Sequence, residues 1–402
     1  MRIGIITSWM RLGWGVDLTL HLTASALTSL GHEVRLYTAN HDGSFARAPY
    51  ELIHAPVVPH RFFPRFEWRA RRYIGYFNKQ PNDIYLIATQ PYFYYPLFLK
   101  KPVVNYEFGI VPTTGFSWRK KMMWAYMRLT QYYIYHPAAD ALVSNSAFTR
   151  RALPPHVRRK TRPIYHGVEH YDPLHPDHDK LFPQPLLEPD PRRPDKPREV
   201  PVDRRGRDEL RREFRNAHGF GDDDVVGLYV GRINPVDQPY KGTAELFDLV
   251  PRLRSEYSNF RFVMVGLGTE KDAKLCRESG ILPLLNHPDW RMRQVFCGCD
   301  LYVTASRWEG FDLPILEAQY FGKPVIGYRL AAHPEVVNDG VSGFLVSGRK
   351  ELREKLGRLI EDKDSREQAG KEGADWAKLF NWMKCANEFE TYFEEILRRR
   401  WG

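Results

Sequence analysis

Apolar residues recur along the chain in short runs, each followed by a turn and then by apolar positions three and four apart. Arg2–Ser8 reads as a buried strand, and Val16–Leu30 as an amphipathic helix closed by Gly31. Val34–Thr38, Ile84–Ala88, Val103–Tyr106 and Ala141–Ser144 are the next predicted strands, and the aromatic, basic segment Trp118–Tyr135 is predicted helical. The second half repeats the plan. Val225–Val230, Phe262–Val265, Leu301–Thr304 and Pro324–Tyr328 are β-rich apolar runs separated by helical segments, and the chain ends in helices over Leu352–Phe380, with a break, and Met383–Arg399. Alternation of this kind predicts an α/β protein with parallel sheets covered on both faces. Two such halves imply two doubly wound domains facing each other across a cleft.

The expected boundaries are an N-terminal domain over 1–170, a linker or insertion over 171–215, a C-terminal domain over 216–380 and a final helix over 381–402. The linker expectation rests on nine prolines among dense charges in 171–201, a stretch too polar to bury much apolar surface. With 402 residues, 43% of them hydrophobic, the chain has material for two cores. No run approaches a membrane span, and the opening Met-Arg-Ile-Gly-Ile-Ile turns polar too soon for a secretory signal. The four cysteines do not form a disulfide framework. A cytoplasmic protein is expected, with the inner membrane face as the place for any peripheral contact. Charge refines the picture. Residues 1–170 hold 22 Lys and Arg against 9 Asp and Glu, while the rest hold 37 against 40. The positive excess therefore belongs to the first half, as a charged face rather than a uniformly basic chain.

The sharpest chemical signal is Ser306-Arg-Trp-Glu-Gly-Phe-Asp-Leu-Pro-Ile-Leu-Glu317, which leaves a predicted strand and enters a helix with Pro314 in its first turn. Ligands of open parallel sheets bind at the carboxyl ends of strands, and free amides at a helix start favour an anion such as a diphosphate. Glu309 in the turn and Glu317 inside the helix are both placed to reach such a ligand. The bland reading is a surface loop with two solvated glutamates.

The segment Glu309-Gly-Phe-Asp-Leu-Pro-Ile-Leu-Glu317 resembles the E-x7-E signature of retaining nucleotide-sugar glycosyltransferases of family 4, which have the GT-B fold of two Rossmann-like domains. Phe321-Gly-Lys-Pro-Val-Ile, His333-Pro-Glu-Val-Val with Gly340–Val346, and Val230-Gly-Arg232-Ile with Lys241-Gly242 resemble further motifs in the same order. The resemblance implies that Glu309 bonds the donor sugar, that Glu317 bonds the ribose, and that Arg232 and Lys241 neutralise the diphosphate as its charge develops. It also implies donor contacts from Gly231 and from the backbone of Gly310, Phe311, Asp312 and Leu313. Gly13-Trp-Gly15-Val-Asp17 resembles the first glycine loop, with Trp14 between the glycines and Asp17 where Glu is common; Gly13 and Gly15 would face a donor phosphate. Val143–Arg150 and His166-Gly-Val-Glu169 resemble segments that close the N-terminal domain, and the last helix would cross back to that domain. Relatives often carry an acceptor-side histidine where this chain has Asn105-Tyr-Glu107-Phe-Gly. Glu107 is either its polar stand-in or a buried structural carboxylate.

The expected activity is transfer of a hexose from a nucleotide-diphosphate sugar to a glycan or lipid-linked acceptor, with no cofactor and no metal. The rivals are a soluble-sugar synthase or phosphorylase, and a sugar-nucleotide- or membrane-binding protein without catalysis. His166, His170, His175 and His178 lie near Asp172, Asp177 and Asp179 but match no closed zinc spacing. Aromatic and basic residues interleave at Arg61–Lys79 and again at Trp118–Tyr135, with Arg69, Arg71, Arg72, Arg119, Lys120 and Lys121 as the cations and Trp68 or Trp124 as anchors. Such mixtures suit an anionic membrane surface or a core helix with a solvated face. Nucleic acid is not expected, since no recognised module accompanies them.

Overall fold

The computed structural model describes the chain except for residues 12, 46, 56–70, 110–111, 183–185, 191–192, 201 and 402, and except for the side chains of 186–190, 193–198, 290 and 401. Two compact units result: residues 1–202 together with 381–402, and residues 203–380.

The first unit is built on seven strands, β1 (Arg2–Met10), β2 (Glu33–His41), β3 (Glu51–His54), β4 (Ile84–Ile87), β5 (Val103–Glu107), β6 (Ala141–Ser144) and β7 (Thr161–Pro163). Their spatial order is β3-β2-β1-β4-β5-β6-β7, all parallel. Strands β4, β5 and β6 are buried at every residue, as expected for a sheet covered on both faces. The helix Gly15–Ser29 lies over one face, where Leu18, Leu22 and Leu27 meet Ile5, Leu36 and Leu86. The edge strands β3 and β7 escape the sequence reading because they are short and mix polar with apolar residues.

The final helix, Trp382–Trp401, completes this same core with Trp382, Phe389, Phe393 and Ile396. Its entry point is the His166–His170 turn. The Trp382 amide donates to Glu169 Oε1 at 2.7 Å, the Trp382 indole donates to His170 Nδ1 at 3.2 Å, and the indole stacks on the His166 ring. Gly167 permits this approach, since a Cβ there would lie 2.1 Å from the Trp382 backbone nitrogen. His166 in turn meets the Tyr106 hydroxyl at 2.8 Å. Two of the histidines singled out as an imitation of a metal site thus serve to dock a helix. Among the described residues no cluster of three or more His, Cys, Asp or Glu is arranged to hold a metal ion.

The stretch 171–215 differs from a plain linker. His178–Leu181 is helical and buries Leu181 in the first core, β8 (Leu186–Asp190) and β9 (Arg193–Val200) pair antiparallel, and Arg207–His218 is the first helix of the second unit. Within its described residues, an apolar anchor and backbone pairing give it regular structure.

The second unit holds β10 (Val225–Val230), β11 (Phe260–Gly266), β12 (Leu282–Leu285), β13 (Leu301–Val303), β14 (Val325–Tyr328) and β15 (Gly343–Val346), in the order β12-β11-β10-β13-β14-β15, all parallel. The connectivity reverses between β10 and β13. Loops leaving those two strands therefore flank a crevice at their carboxyl ends. The four cysteines are free and buried, one of them, Cys385, in the final helix. No helix among the described residues is long and apolar enough to cross a membrane.

Candidate functional site

The crevice of the second unit brings together residues that are far apart in sequence. After β10 the chain passes Gly231 and Arg232 and reaches a tight turn, Pro239–Lys241, that ends on Gly242 at φ +70°. A Cβ on Gly242 would lie 2.0 Å from the Ala305 carbonyl oxygen, so the turn rests directly on the chain leaving β13. The Arg307 amide donates to the Tyr240 carbonyl at 2.6 Å, and the Ser306 hydroxyl donates to the Lys241 carbonyl at 3.4 Å. These ties hold Lys241 over Glu309. Its Nζ donates to Glu309 Oε1 at 2.8 Å and Oε2 at 3.0 Å. Burial works against the Lys241 ammonium, but the attraction of Glu309, reinforced by Asp312, outweighs it and holds the lysine above its ordinary pKa. The lysine is thus held as a cation beside Glu309.

Three residues on, Asp312 takes a left-handed conformation at φ +57° and precedes the helix Leu313–Tyr320, whose first turn holds Pro314. Its carboxylate meets His333 Nε2 at 2.9 Å, while His333 Nδ1 contacts the Tyr328 carbonyl at 2.7 Å. A carbonyl only accepts, so Nδ1 carries a proton, and a carboxylate opposite Nε2 calls for a second one. Burial alone would strip that charge; the hydrogen bond and charge of Asp312 outweigh it and raise the histidine pKa. The buried His333 ring, held on its other side by the Tyr328 carbonyl, thereby pins the unusual backbone of Asp312. Sequence reasoning missed this role for His333, although the residue stood inside a quoted motif. Its place next to Pro334, at the start of a short helix that follows a strand, was the available signal.

Gly310 and Phe311 are buried between Glu309 and Asp312, with Phe311 edge-on against Phe380. Glu317 lies buried on the helix that follows, and Leu313 begins it half-buried. Gly231, at φ +155°, has no room for a side chain, because its Cβ would meet the Tyr229 hydroxyl at 2.7 Å. Arg232 follows it, half-buried, and its carbonyl accepts from the Tyr229 hydroxyl at 3.2 Å. The second unit thus gathers Lys241, Glu309 and Asp312 into one network, between the Gly231–Arg232 turn and the helix of Glu317.

The residues singled out in the first unit divide. Gly13, at φ +76°, and Gly15 are exposed at the carboxyl end of β1, and a Cβ on Gly15 would meet nothing within 4 Å. Asp17, in the first turn of the helix, is buried and accepts the Arg11 amide at 3.0 Å. Glu107 turns inward. Its Oε1 accepts the Gly109 amide at 2.8 Å, and its Oε2 lies 2.5 Å from Gln131 Nε2 and 3.0 Å from His136 Nε2. Asn105 holds the other side of that histidine ring at 3.1 Å. Both oxygens of Glu107 are thus engaged and 4% of the residue is exposed, the surroundings expected of a structural carboxylate.

Comparison with known proteins agrees with the architecture. Residues 211–376 match the family model described as glycosyl transferases group 1, and residues 15–171 match that of glycosyltransferase family 4. The chain belongs to the group 1 glycosyltransferases of GT-B fold. It is 30% identical over 179 residues to an uncharacterized glycosyltransferase of Methanocaldococcus jannaschii, covering 42% of this chain and 48% of that protein. It is also 30% identical over 203 residues to the D-inositol 3-phosphate glycosyltransferase of Streptomyces griseus, covering 45% of this chain and 42% of the relative. The matched stretch thus spans about half the length of these curated relatives. Among solved structures, Anabaena HepE in complex with UDP and glucose superposes with a TM-score of 0.73 at 16% identity, over 98% of this chain and 99% of that one. Sucrose-phosphate synthase from Thermosynechococcus elongatus gives 0.72 at 15% identity, over 99% of each chain. Identities this low speak for the fold alone.

Proposed function

We propose that the protein is a retaining glycosyltransferase that moves a hexose from a nucleotide-diphosphate sugar to a glycan or lipid-linked acceptor. The observation that carries this reading is the Lys241–Glu309 pair, set beside the Asp312–His333 pair at the point where the second sheet reverses its connectivity. A cation held at such a crevice, next to the start of a helix, suits a diphosphate whose charge grows as it leaves. The solved UDP and glucose complex of HepE, which shares the fold, supports a nucleotide-sugar donor.

In this reading the bond between the sugar's anomeric carbon and the phosphate oxygen breaks, and the new bond to the acceptor oxygen forms on the same face. The acceptor's proton passes to the departing diphosphate. Arg232 and Lys241 stabilise the charge that develops, Arg232 as a planar fork and Lys241 as a point charge, so that no metal is required of the protein. Glu309 bonds the sugar hydroxyls, exchanging part of its contact with Lys241 for them. Glu317 bonds the ribose hydroxyls. The backbone of Gly231, Gly310, Phe311, Asp312 and Leu313 lines the phosphates, and Gly13 and Gly15 offer bare backbone to a phosphate at the carboxyl end of β1.

The test is to separate the two glutamates. Glu317→Ala is expected to weaken affinity for the free nucleoside diphosphate, measured calorimetrically, whereas Glu309→Ala leaves that affinity intact and abolishes transfer. Arg232→Ala and Lys241→Ala should each slow turnover at saturating donor by roughly 10²–10³. Unfolding is followed in parallel, because Lys241→Ala strands the Glu309 carboxylate. Nucleoside diphosphate affinity lost only in the Glu309 variant, or near-native turnover in both cation variants, would overturn these assignments.

A further inference from the structure

The helix Trp118–Thr130 of the first unit turns most of its apolar side chains toward solvent. Trp118 is 70% exposed, Met122 64% and Leu129 60%; Tyr126 is exposed too, as are Tyr133 and Ile134 in the turn that follows. Thr130 is the one buried residue of the thirteen. At about 100° per residue, Trp118, Met122, Tyr126 and Leu129 fall within an arc of about 80°. They form one stripe. A helix stripe of this kind ordinarily faces a core, and a contiguous apolar patch left in solvent marks an interaction site.

Charge decides what kind of partner fits. By the same spacing Arg119 borders the stripe on one side, and Lys121 and Arg128 border it on the other. No Asp or Glu occurs between Glu107 and Asp140, whereas Arg119, Lys120, Lys121 and Arg128 all fall there. The cations stay close to the aromatics, with Arg119 over the Trp118 ring at 5.6 Å and Lys120 over the Phe116 ring at 5.4 Å. An apolar strip with cationic margins complements a surface that is oily beneath and negative at its rim, where acyl chains receive the strip and phosphates meet the margins. We propose that this helix face, Trp118 to Leu129 with Tyr133, docks on a bilayer carrying anionic phospholipid. The companion stretch expected around Trp68 and Arg69 lies outside the described residues, and the proposal does not draw on it.

The experiment sediments the full chain with vesicles of phosphatidylcholine alone, or with equal parts of phosphatidylglycerol, at low and at high salt. Binding is expected on the anionic vesicles at low salt and should weaken as counterions screen the charges. Met122→Ser/Leu129→Ser, at two exposed positions, should keep the native melting temperature and lose about tenfold in binding. Arg119→Gln/Lys121→Gln should lose about fivefold per cation at low salt. No binding to anionic vesicles at low salt, or undiminished binding by the Met122/Leu129 variant, would overturn the proposal. So would self-association that vanishes in that variant, which would give the stripe to a second copy, or competition by single-stranded nucleic acid that the variant leaves unchanged. Thermal stabilisation by nucleoside diphosphate, measured on the same variants, should be unaltered, so that failure here stands apart from failure of the transfer reading.

Discussion

Asp17 shows how one side chain makes a loop sensitive to pH. Burial pushes its carboxyl up to about 7, and the Arg11 amide pulls only partly the other way. In the unfolded chain the same group releases its proton near pH 4. Between those values the unfolded state binds fewer protons, so this residue's contribution makes stability fall as pH rises and level off above about 7. Asp17→Asn removes that slope. Urea unfolding of both proteins from about pH 5 to pH 7.5 should show the Asn variant gaining on the wild type as pH rises; a gap that stays constant or reverses would refute the assignment. At this scale the sequence was only partly legible. Glu309, Lys241 and Asp312 were visible as motif members, but a contact spanning 68 positions, or the His333 ring against Asp312 across 21, is made by the fold and leaves no local pattern.

At the scale of elements, legibility followed burial. Strands β4, β5 and β6 are buried at every residue and mostly apolar because both of their faces are covered, and all three were read correctly. The edge strand β12, Leu-Pro-Leu-Leu, is half-buried along its length and contains a proline that an interior strand would not tolerate, so it carried no usable signal. The loops that build the site depend on glycines whose need is invisible in one dimension. Gly242→Ala would force a side chain at φ +70° into the Ala305 carbonyl, moving either Lys241 or the chain after β13. We expect a loss on the order of 3 kcal/mol together with reduced turnover. Gly348→Ala is the control: its backbone is extended at φ −163° and its Cβ would meet nothing within 4 Å. Equal melting temperatures for the two variants would show that the turn does not depend on Gly242.

On the scale of the whole molecule, the return of the last helix to the first unit governs stability. Trp382 is fully buried and its backbone and indole both hydrogen-bond to the His166–His170 turn. Trp382→Ala should therefore cost about 3–5 kcal/mol, read as a lower urea midpoint for the first unit, while the second unit, which ends at Phe380, keeps its own transition. A single unchanged transition would mean that the helix is not integral to that core. The feature also sets an order of events during synthesis. Chains generally fold their leading domain while the ribosome is still adding the next. Here the leading sheet lacks Trp382, Phe389 and Phe393 until all of residues 203–380 has been translated. The second unit can close first, and the nascent first unit must wait, with an apolar face open, for the segment made after it.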